Sequence, residues 1–132
     1  MTDIFKMMLA QLNPVVGDIA GNVARAKAAW VGAKGAGADM VALTEMFVTG
    51  YQTQDLILKP AFVTAAIAAV EALAAGCAEG PALGIGGPVL QGGKLYNGYY
   101  VLEGGRVHAR VLKHHLPNDA VFVEKRVFAS AD

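Results

Sequence analysis

Residues 95–112 read LYNGYYVLEGGRVHARVL, and this stretch decides the class of fold. Two runs rich in apolar residues, 95–102 and 107–112, flank residues 103–106, whose two glycines suit the tight turn of a β-hairpin. A hairpin is antiparallel, whereas strand–helix–strand units are parallel. Because the rest of the sequence predicts units of the second kind, the sheet should be mixed.

Upstream of the hairpin, short apolar runs alternate with helical patterns. Residues 4–12 and 39–44 are predicted to be buried strands, and residues 82–85 a short strand. Between them, apolar residues at spacings of three and four predict two helices, one beginning after Asp18 and the other at Pro60. Each helical pattern ends at a group of glycines or at Gly-Pro. This order of elements predicts an α/β fold in which helices cover one face of a mixed sheet.

The composition fits one domain and argues against several kinds of partner. The 132 residues are 55% hydrophobic and 17% charged, which is ample apolar material for a core. The 11 basic and 11 acidic residues balance, so neither nucleic acid nor an anionic membrane surface is expected as a partner. Residues 61–78 are the longest apolar stretch, but Thr64 and Glu71 interrupt it, and it is too short to predict a membrane span.

The ends of the chain and its cysteine content carry further expectations. No basic segment followed by an apolar stretch opens the sequence, so no signal peptide is expected. Cys77 is the one cysteine and cannot form an internal disulfide, which together with the missing signal favours the cytoplasm. Residues 128–132 complete no helix or strand pattern. We therefore expect residues 1–132 to be the N-terminal part of a larger domain.

Two charged residues stand at the ends of predicted strands. Glu45 follows the run 39–44, and Lys113 follows the run 107–112. In open α/β sheets, ligands gather at the carboxyl ends of strands, so a carboxylate and an ammonium placed there could share one pocket. A structural salt bridge is the alternative, since it also brings opposite charges together. Position alone leaves both interpretations open.

The segments around these two residues resemble segments of the nitrilase superfamily of carbon–nitrogen hydrolases. Residues 43–51, LTEMFVTGY, resemble the superfamily segment in which a glutamate ends a strand before a Gly-Tyr turn. Residues 113–118, KHHLPN, followed by Phe122 and residues 124–128, EKRVF, resemble its lysine segment. The resemblance implies a partial α-β-β-α sandwich.

Two further segments resemble one branch of that superfamily, the glutamine-hydrolysing amidase domains of NAD synthetases. Residues 10–18, AQLNPVVGD, followed by Asn22, are similar to the start of these domains. Residues 52–58, QTQDLIL, resemble the loop after their Gly-Tyr turn. Each of the four segments is only moderately specific by itself. Together they occur in the right order and spacing over nearly the whole chain.

The resemblance implies a Glu-Lys-Cys triad in which Glu45 is the general base and Lys113 stabilises the oxyanion. A thiol is a poor nucleophile until it loses its proton. A nearby carboxylate can take that proton and later deliver it to the leaving ammonia, while an ammonium stabilises the tetrahedral intermediate. Cys77 lies on the apolar face of the second predicted helix and is expected to pack in the core. In the superfamily the nucleophile follows a later strand, so the resemblance implies a nucleophilic cysteine beyond residue 132.

The resemblance also implies substrate-binding residues. Glu124 matches a second glutamate near the triad, and Tyr51 and Phe122 match positions that line the glutamine pocket. A solvated Glu124 and ordinary packing of the two aromatic rings are the alternatives. The sequence departs from the pattern at Asp119, where a tyrosine is usual, and at Val123, where an aspartate is usual. The identity of the amide substrate therefore stays open.

No cofactor and no metal are expected in this domain. Residues 84–88, GIGGP, contain neither a GxGxxG motif nor a P-loop lysine, and they do not open a helix, so they predict no phosphate site. The resemblance implies that ATP and the NAD precursor bind a separate synthetase domain. His114 and His115 are adjacent, so on a strand they would point to opposite faces and could not form a metal pair.

Three hypotheses for the function follow. The resemblance implies the ammonia-supplying, glutamine-hydrolysing part of an NAD synthetase, incomplete in residues 1–132 and inactive alone. Its substrate would be glutamine, its partner in the full-length protein a synthetase domain, and its assembly a homo-oligomer. The second hypothesis is a fragment of a stand-alone nitrilase-type amidase that acts on another small amide. The third is a non-catalytic remnant or assembly domain.

Overall fold

The computed structural model describes residues 3–51 and 54–113. Within these ranges five strands form one sheet in the order β1-β2-β3-β4-β5. The elements follow the chain as β1 (Met7–Leu9), α1 (Ile19–Gly35), β2 (Met40–Ala42), a 3₁₀ helix (Gln54–Leu58), α2 (Pro60–Gly76), β3 (Ala82–Gln91), β4 (Lys94–Glu103) and β5 (Arg106–Leu112).

The sheet is mixed, as the sequence predicted. The strands β1, β2 and β3 pair in parallel, whereas β3 with β4 and β4 with β5 form antiparallel hairpins. Residues 92–93 and 104–105 form the two hairpin turns, and all four are glycines with positive φ. Two-residue hairpin turns that match the twist of the strands need positive φ, which glycine adopts readily and residues with a side chain disfavour. The Gly-rich turn at 103–106 is thus confirmed as a hairpin.

Both α-helices lie on one face of the sheet, which confirms the predicted arrangement. Each helix carries the chain from one parallel strand to the next in the same direction across the sheet, and right-handed crossovers place such helices on the same face. The Asp18 carboxylate accepts a hydrogen bond from Gly21 N at 3.0 Å and caps α1. Trp30 on α1 donates from Nε1 to Pro81 O at 2.8 Å, which fixes the helix beside the start of β3.

The hydrophobic core fills the space between the helices and the sheet. The registers place Val41 beside Leu83, Leu83 beside Leu102, and Ile85 beside Tyr100, so these side chains share the helix-covered face. All five are buried. They pack with the buried residues of the two predicted apolar helix faces: Ala26, Trp30, Ala66, Val70 and Leu73. We call this side of the sheet the helix face.

Two strand predictions were wrong in burial or extent. The first strand, expected to be buried over residues 4–12, is confined to β1 and is exposed along its length, because β1 is an edge strand of the described sheet. The third strand, expected to stop at residue 85, continues through Gly86-Gly87-Pro88 to Gln91. Glycine and proline usually weaken strands. Here β3 continues because every one of these residues has a partner on β4.

The opposite side of the sheet, which we call the open face, carries side chains at the alternate strand positions. It includes Leu9, Gly86, Asn97, Tyr99 and Val111. Leu9 is 71% exposed and Val111 is 62% exposed. The described residues therefore form one sheet and one helix layer, which is one half of an α-β-β-α sandwich. Within residues 3–51 and 54–113, neither helix has the length and apolar character that crossing a membrane requires.

Candidate active site

Glu45 lies just beyond β2. The segment that carries it continues along β3 after the regular pairing of β2 with β3 has ended at Ala42. Three backbone hydrogen bonds hold residues 43–48 against β3: Leu43 N to Gly84 O at 2.8 Å, Gly86 N to Thr44 O at 3.2 Å, and Val48 N to Gly86 O at 3.1 Å. These bonds lie on both sides of Glu45 in the sequence. Its backbone is therefore fixed to the sheet although it belongs to no regular element.

Gly86 of β3 makes room for this segment. A Cβ atom at Gly86 would lie 2.8 Å from the Cα of Glu45, a distance that carbon atoms do not approach without displacement. The next residue, Met46, has φ of +52°, a left-handed conformation that is uncommon for a side-chain-bearing residue. The Met46 side chain is buried in a small cluster with Ile57 and Val63, and this packing stabilises the conformation.

The Glu45 carboxylate contacts one side chain from β4 and one from the residue that follows β5. Lys113 Nζ lies 2.6 Å from Glu45 Oε1, and Asn97 Nδ2 donates to the same oxygen at 3.1 Å. Lys113 N also donates to Asn97 O at 2.8 Å, which extends the pairing of β4 with β5 by one residue beyond Leu112. Asn97 and Lys113 are therefore cross-strand neighbours with side chains on the open face. The structure brings together the two residues that the sequence predicted to share a pocket.

The charged pair remains accessible to solvent. The side chain of Glu45 is 43% exposed and that of Lys113 is 28% exposed. Exposed ion pairs add little to folding stability because water screens them. An accessible carboxylate and ammonium at strand ends are instead able to act on a bound molecule, the carboxylate as a proton acceptor and the ammonium as a stabiliser of negative charge. Among the described residues, no three His, Cys, Asp or Glu side chains converge to form a metal site.

Residues 10–18, which resemble the start of the amidase domains, are hydrogen-bonded through the start of α1 and directly to the segment that carries Glu45. Asn22 of α1 is fully buried, and its amide accepts from Val15 N at 2.7 Å and donates to Val15 O at 2.8 Å and to Val48 O at 3.1 Å. Gly17 N donates to Thr49 O at 2.9 Å. Two of the segments that carry the resemblance, 10–18 and 43–51, are thus in direct contact.

The remaining predicted site residues divide into one that the structure describes and others that it does not. Tyr51 is half-buried and packs against the cluster of Met46, Ile57 and Val63, next to the segment of Glu45. This contact agrees with ordinary packing of its ring and leaves its predicted role in substrate binding untested. Four further positions singled out from the sequence lie outside the described residues: Phe122, Glu124, Asp119 and Val123.

Cys77 lies in the core, as predicted. It follows the last residue of α2, is 3% exposed, and belongs to the cluster between the helices and the sheet. Burial raises the pKa of the Cys77 thiol because desolvation disfavours the thiolate, and the nearby positive charge of Lys27 only partly opposes this. The thiol is on the helix face, whereas the carboxylate of Glu45 is on the open face. Cys77 is therefore not placed to be the nucleophile of this site.

Sequence reasoning missed two residues that shape the site, Asn97 and Gly86. Asn97 stands in the middle of an apolar strand, and a polar side chain there is a signal that it has a specific partner, because burying an unpaired amide is costly. Gly86 comes directly after the strand predicted over residues 82–85. Its actual role depends on the close approach of residues distant in sequence, for which the sequence contains no local signal.

Comparisons with known proteins identify the family to which the chain belongs. The model of the carbon-nitrogen hydrolase family matches residues 8–132, so the chain belongs to the carbon-nitrogen hydrolase family. Within that class it is similar to glutamine-dependent NAD(+) synthetase of Rhodobacter capsulatus, with 61% identity over 128 residues. Those residues are 97% of this chain and 23% of that protein.

Solved structures show the same fold. A glutamine-dependent NAD(+) synthetase from Cytophaga hutchinsonii superposes with a TM-score of 0.89 at 29% identity, over 96% of this chain and 22% of that one. An amidase from Nesterenkonia sp. superposes with a TM-score of 0.82 over 97% of this chain and 48% of that one, but at 21% identity it establishes likeness of fold alone. The chain thus spans about a quarter of the length of the NAD synthetases it matches.

Proposed function

We propose that these residues supply the general base and the oxyanion stabiliser of an amidase site that releases ammonia from glutamine. The observation that carries the proposal is the contact of 2.6 Å between Lys113 Nζ and Glu45 Oε1, beyond the carboxyl ends of β5 and β2 in a carbon–nitrogen hydrolase fold. The similarity to proteins named glutamine-dependent NAD(+) synthetase supports glutamine as the amide. In the proposed whole protein, a separate synthetase domain binds ATP and the NAD precursor and uses the ammonia.

In the proposed reaction, Glu45 takes the proton of a cysteine thiol, and the thiolate attacks the side-chain carbonyl carbon of glutamine. Lys113 stabilises the negative oxygen of the tetrahedral intermediate. When the intermediate collapses, Glu45 delivers its proton to the leaving nitrogen, so ammonia departs and a thioester remains. Water then hydrolyses the thioester to glutamate and regenerates the thiol. The thiol comes from a cysteine outside residues 1–132, because the sheet separates Cys77 from Glu45.

The other expected features of the site complete the proposal. Tyr51, Phe122 and Glu124 would line or support the glutamine pocket, as the family resemblance implies. No cofactor would bind within these residues. A buried, unpaired Cys77 thiol fits a reducing compartment, and we place the protein in the cytoplasm.

Two alternatives have specific observations behind them. A stand-alone amidase fits the fold, because the Nesterenkonia amidase has the same fold over the 48% of its chain that superposes on this one. The identity of 61% to an NAD synthetase favours the first proposal over this one. A non-catalytic role fits the position of Cys77, the one thiol of these 132 residues, in the core. The two alternatives differ from the proposal in whether glutamine supports NAD formation.

A chimera tests the proposal directly. Residues 1–132 replace the matching segment of the Rhodobacter capsulatus protein, and NAD formation is measured with glutamine and, separately, with added ammonia as the nitrogen source. We expect the chimera to use glutamine. Glu45→Gln and Lys113→Met should each lower glutamine-dependent kcat by about 10²- to 10³-fold, the range found when a base or an oxyanion donor is removed. Ammonia should restore NAD formation, because it bypasses the amidase reaction.

Matched substitutions of residues outside the charged pair provide the control. Glu103→Gln and Lys94→Met change the same residue types at exposed positions near the hairpin turns and should leave glutamine use unchanged. A chimera that uses ammonia but not glutamine would contradict the proposal in favour of a non-catalytic role. Use of another amide in preference to glutamine would favour the stand-alone amidase.

A further inference from the structure

We propose that Asn97 is a positioning residue that holds the Glu45 carboxylate in its reactive orientation independently of Lys113. The inference rests on the proposed function, because it concerns how the proposed base is kept ready. Asn97 is hydrogen-bonded to both members of the charged pair. Its side chain donates to Glu45 Oε1 at 3.1 Å, and its carbonyl accepts from Lys113 N at 2.8 Å.

The three side chains differ in how firmly the fold holds them. Asn97 is 2% exposed and sits within β4, paired with Pro88 of β3, so its position is set by the sheet on both sides. The side chains of Glu45 and Lys113 are 43% and 28% exposed. A lysine side chain has four rotatable bonds and an asparagine side chain has two, so a buried asparagine loses less by being held. Asn97 is therefore the rigid member of the constellation.

The two donors leave one carboxylate oxygen for proton transfer. Both Asn97 Nδ2 and Lys113 Nζ contact Oε1, and within residues 3–51 and 54–113 no hydrogen-bond donor contacts Oε2. Oε2 is thus the oxygen that accepts the proton of the thiol. Once protonated at Oε2, the acid still presents Oε1 as a carbonyl acceptor. The hydrogen bond from Asn97 consequently persists in both protonation states of Glu45.

Lys113 cannot keep its hydrogen bond to Glu45 Oε1 throughout the reaction. As negative charge develops on the substrate oxygen, the ammonium is drawn toward it and its contact with Oε1 weakens. Asn97 is neutral, and its hydrogen bond to Oε1 is not exchanged for one to the oxyanion. It keeps the carboxylate oriented while Lys113 turns to the substrate, and a misplacement of a reacting group by about 1 Å can lower a rate by about 10²-fold.

The first test observes the Glu45 carboxylate without relying on activity. The 132-residue chain contains five glutamates, so labelling the glutamate side-chain carboxyl with ¹³C yields five resonances, and Glu45→Gln assigns the one of interest. In Lys113→Met, we expect the Glu45 resonance to stay distinct from that of exposed Glu103. In the double variant Lys113→Met with Asn97→Ala, it should move to the position of an exposed glutamate.

Two further variants keep this test decisive. Asn97→Asp has the same size and replaces the donor with an acceptor, so it should release Glu45 even if the alanine variant fails to fold. Tyr100→Phe removes a buried hydrogen bond to Pro88 O from the same strand on the helix face, and it should leave the Glu45 resonance in place. The proposal is overturned if Lys113→Met alone gives Glu45 the exposed position, or if removing the Asn97 donor changes nothing.

The second test is kinetic and uses the chimera described above. Asn97→Ala should lower glutamine-dependent kcat by about 10- to 100-fold with little change in KM, and Tyr100→Phe should lower neither. A change confined to KM, or an equal loss in Tyr100→Phe, would show that Asn97 acts only through binding or folding. If the unmutated chimera does not use glutamine, the proposed function fails, and the carboxyl resonance still decides whether Asn97 holds Glu45.

Discussion

The two faces of this sheet are made from the same five strands and serve different purposes. On the helix face, Leu83, Ile85 and Leu102 are almost completely buried under α1 and α2. On the open face, small residues such as Gly84 and Gly86 alternate with polar side chains such as Asn97, and apolar residues at the sheet margins are exposed. Because successive side chains of a strand point to opposite faces, one strand can support packing on one side and chemistry on the other.

The comparison explains why a cysteine in the sequence is not automatically a nucleophile. Cys77 and Glu45 are on opposite faces, and hydrogen-bonded backbone lies between them. The cost of moving a buried thiol out of the core would be added to the cost of ionising it. The separation also explains how the charged pair stays accessible although the chain is rich in apolar residues.

The largest expected effect is a complete absence of activity in the isolated chain. Incubated with glutamine, the 132-residue protein should release no ammonia, because Glu45 and Lys113 have no thiol on their face of the sheet. Cys77→Ala should change nothing in this assay. Ammonia release that disappears in Cys77→Ala would show that the thiol reaches the site and that the two faces are not separate. The thiol should also react with iodoacetamide more slowly than a free cysteine, since its pKa is raised by burial.

The next effect concerns the free energy of unfolding and compares the same substitution, leucine to alanine, on the two faces. Leu83→Ala removes a fully buried side chain and should lower the free energy of unfolding by about 2–5 kcal/mol, as is typical of cavities in cores. Leu9→Ala removes a side chain that is 71% exposed on the open face, and should cost no more than about 0.5 kcal/mol. Denaturant titration at low protein concentration measures both. Equal losses would mean that the open face is covered in solution.

A glycine substitution sharpens the comparison at the site itself. Gly86→Ala places a methyl group against the backbone of Glu45 and Met46, and should lower the free energy of unfolding by about 1–3 kcal/mol. Gly32→Ala makes the same change in α1, where nothing lies within 4 Å, and should stabilise the protein by up to about 1 kcal/mol, since alanine favours helices. In the chimera, Gly86→Ala should also reduce glutamine use. Full activity in Gly86→Ala would show that the close contact does not position Glu45.

The smallest effect concerns self-association. The open face exposes apolar side chains, and the outer edge of β5 has no strand partner within residues 3–51 and 54–113; both features favour pairing with another copy of the chain. We predict dimers or larger assemblies at micromolar concentration in sedimentation experiments. Val111→Lys, on the open face, should raise the dissociation constant about tenfold, or about 1.4 kcal/mol. Val31→Lys, at a similarly exposed position of α1, should leave the dissociation constant unchanged. A monomer with a cooperative melt would refute the prediction.

The architecture and the charged pair were predictable because they depend on local patterns. Periodic apolar residues, the cap at Asp18 and the Gly-rich turn before β5 specify the elements, and the handedness of crossovers then places both helices on one face. Glu45 and Lys113 follow β2 and β5, which run in the same direction, so both residues stand at the same edge of the sheet. What failed was the burial of β1 and the extent of β3. The burial of a strand depends on which other elements cover it. Glycine and proline residues near the end of an apolar run do not reveal whether a neighbouring strand continues to pair with that run.

The sequence by itself determined the order of elements, the class of fold and the two charged residues of the site, because each depends on neighbouring residues or on spacing along the chain. Only the tertiary structure decided that Asn97 reaches Glu45 across 52 positions and that Gly86 lies beneath it. It also decided that Cys77 is on the other face. The contacts of Glu45 with Gly86 and Asn97 arise from the pairing of β3 with the segment after β2 and with β4. This pairing is set by hydrogen bonds between residues far apart in the sequence, which leave no local pattern to read.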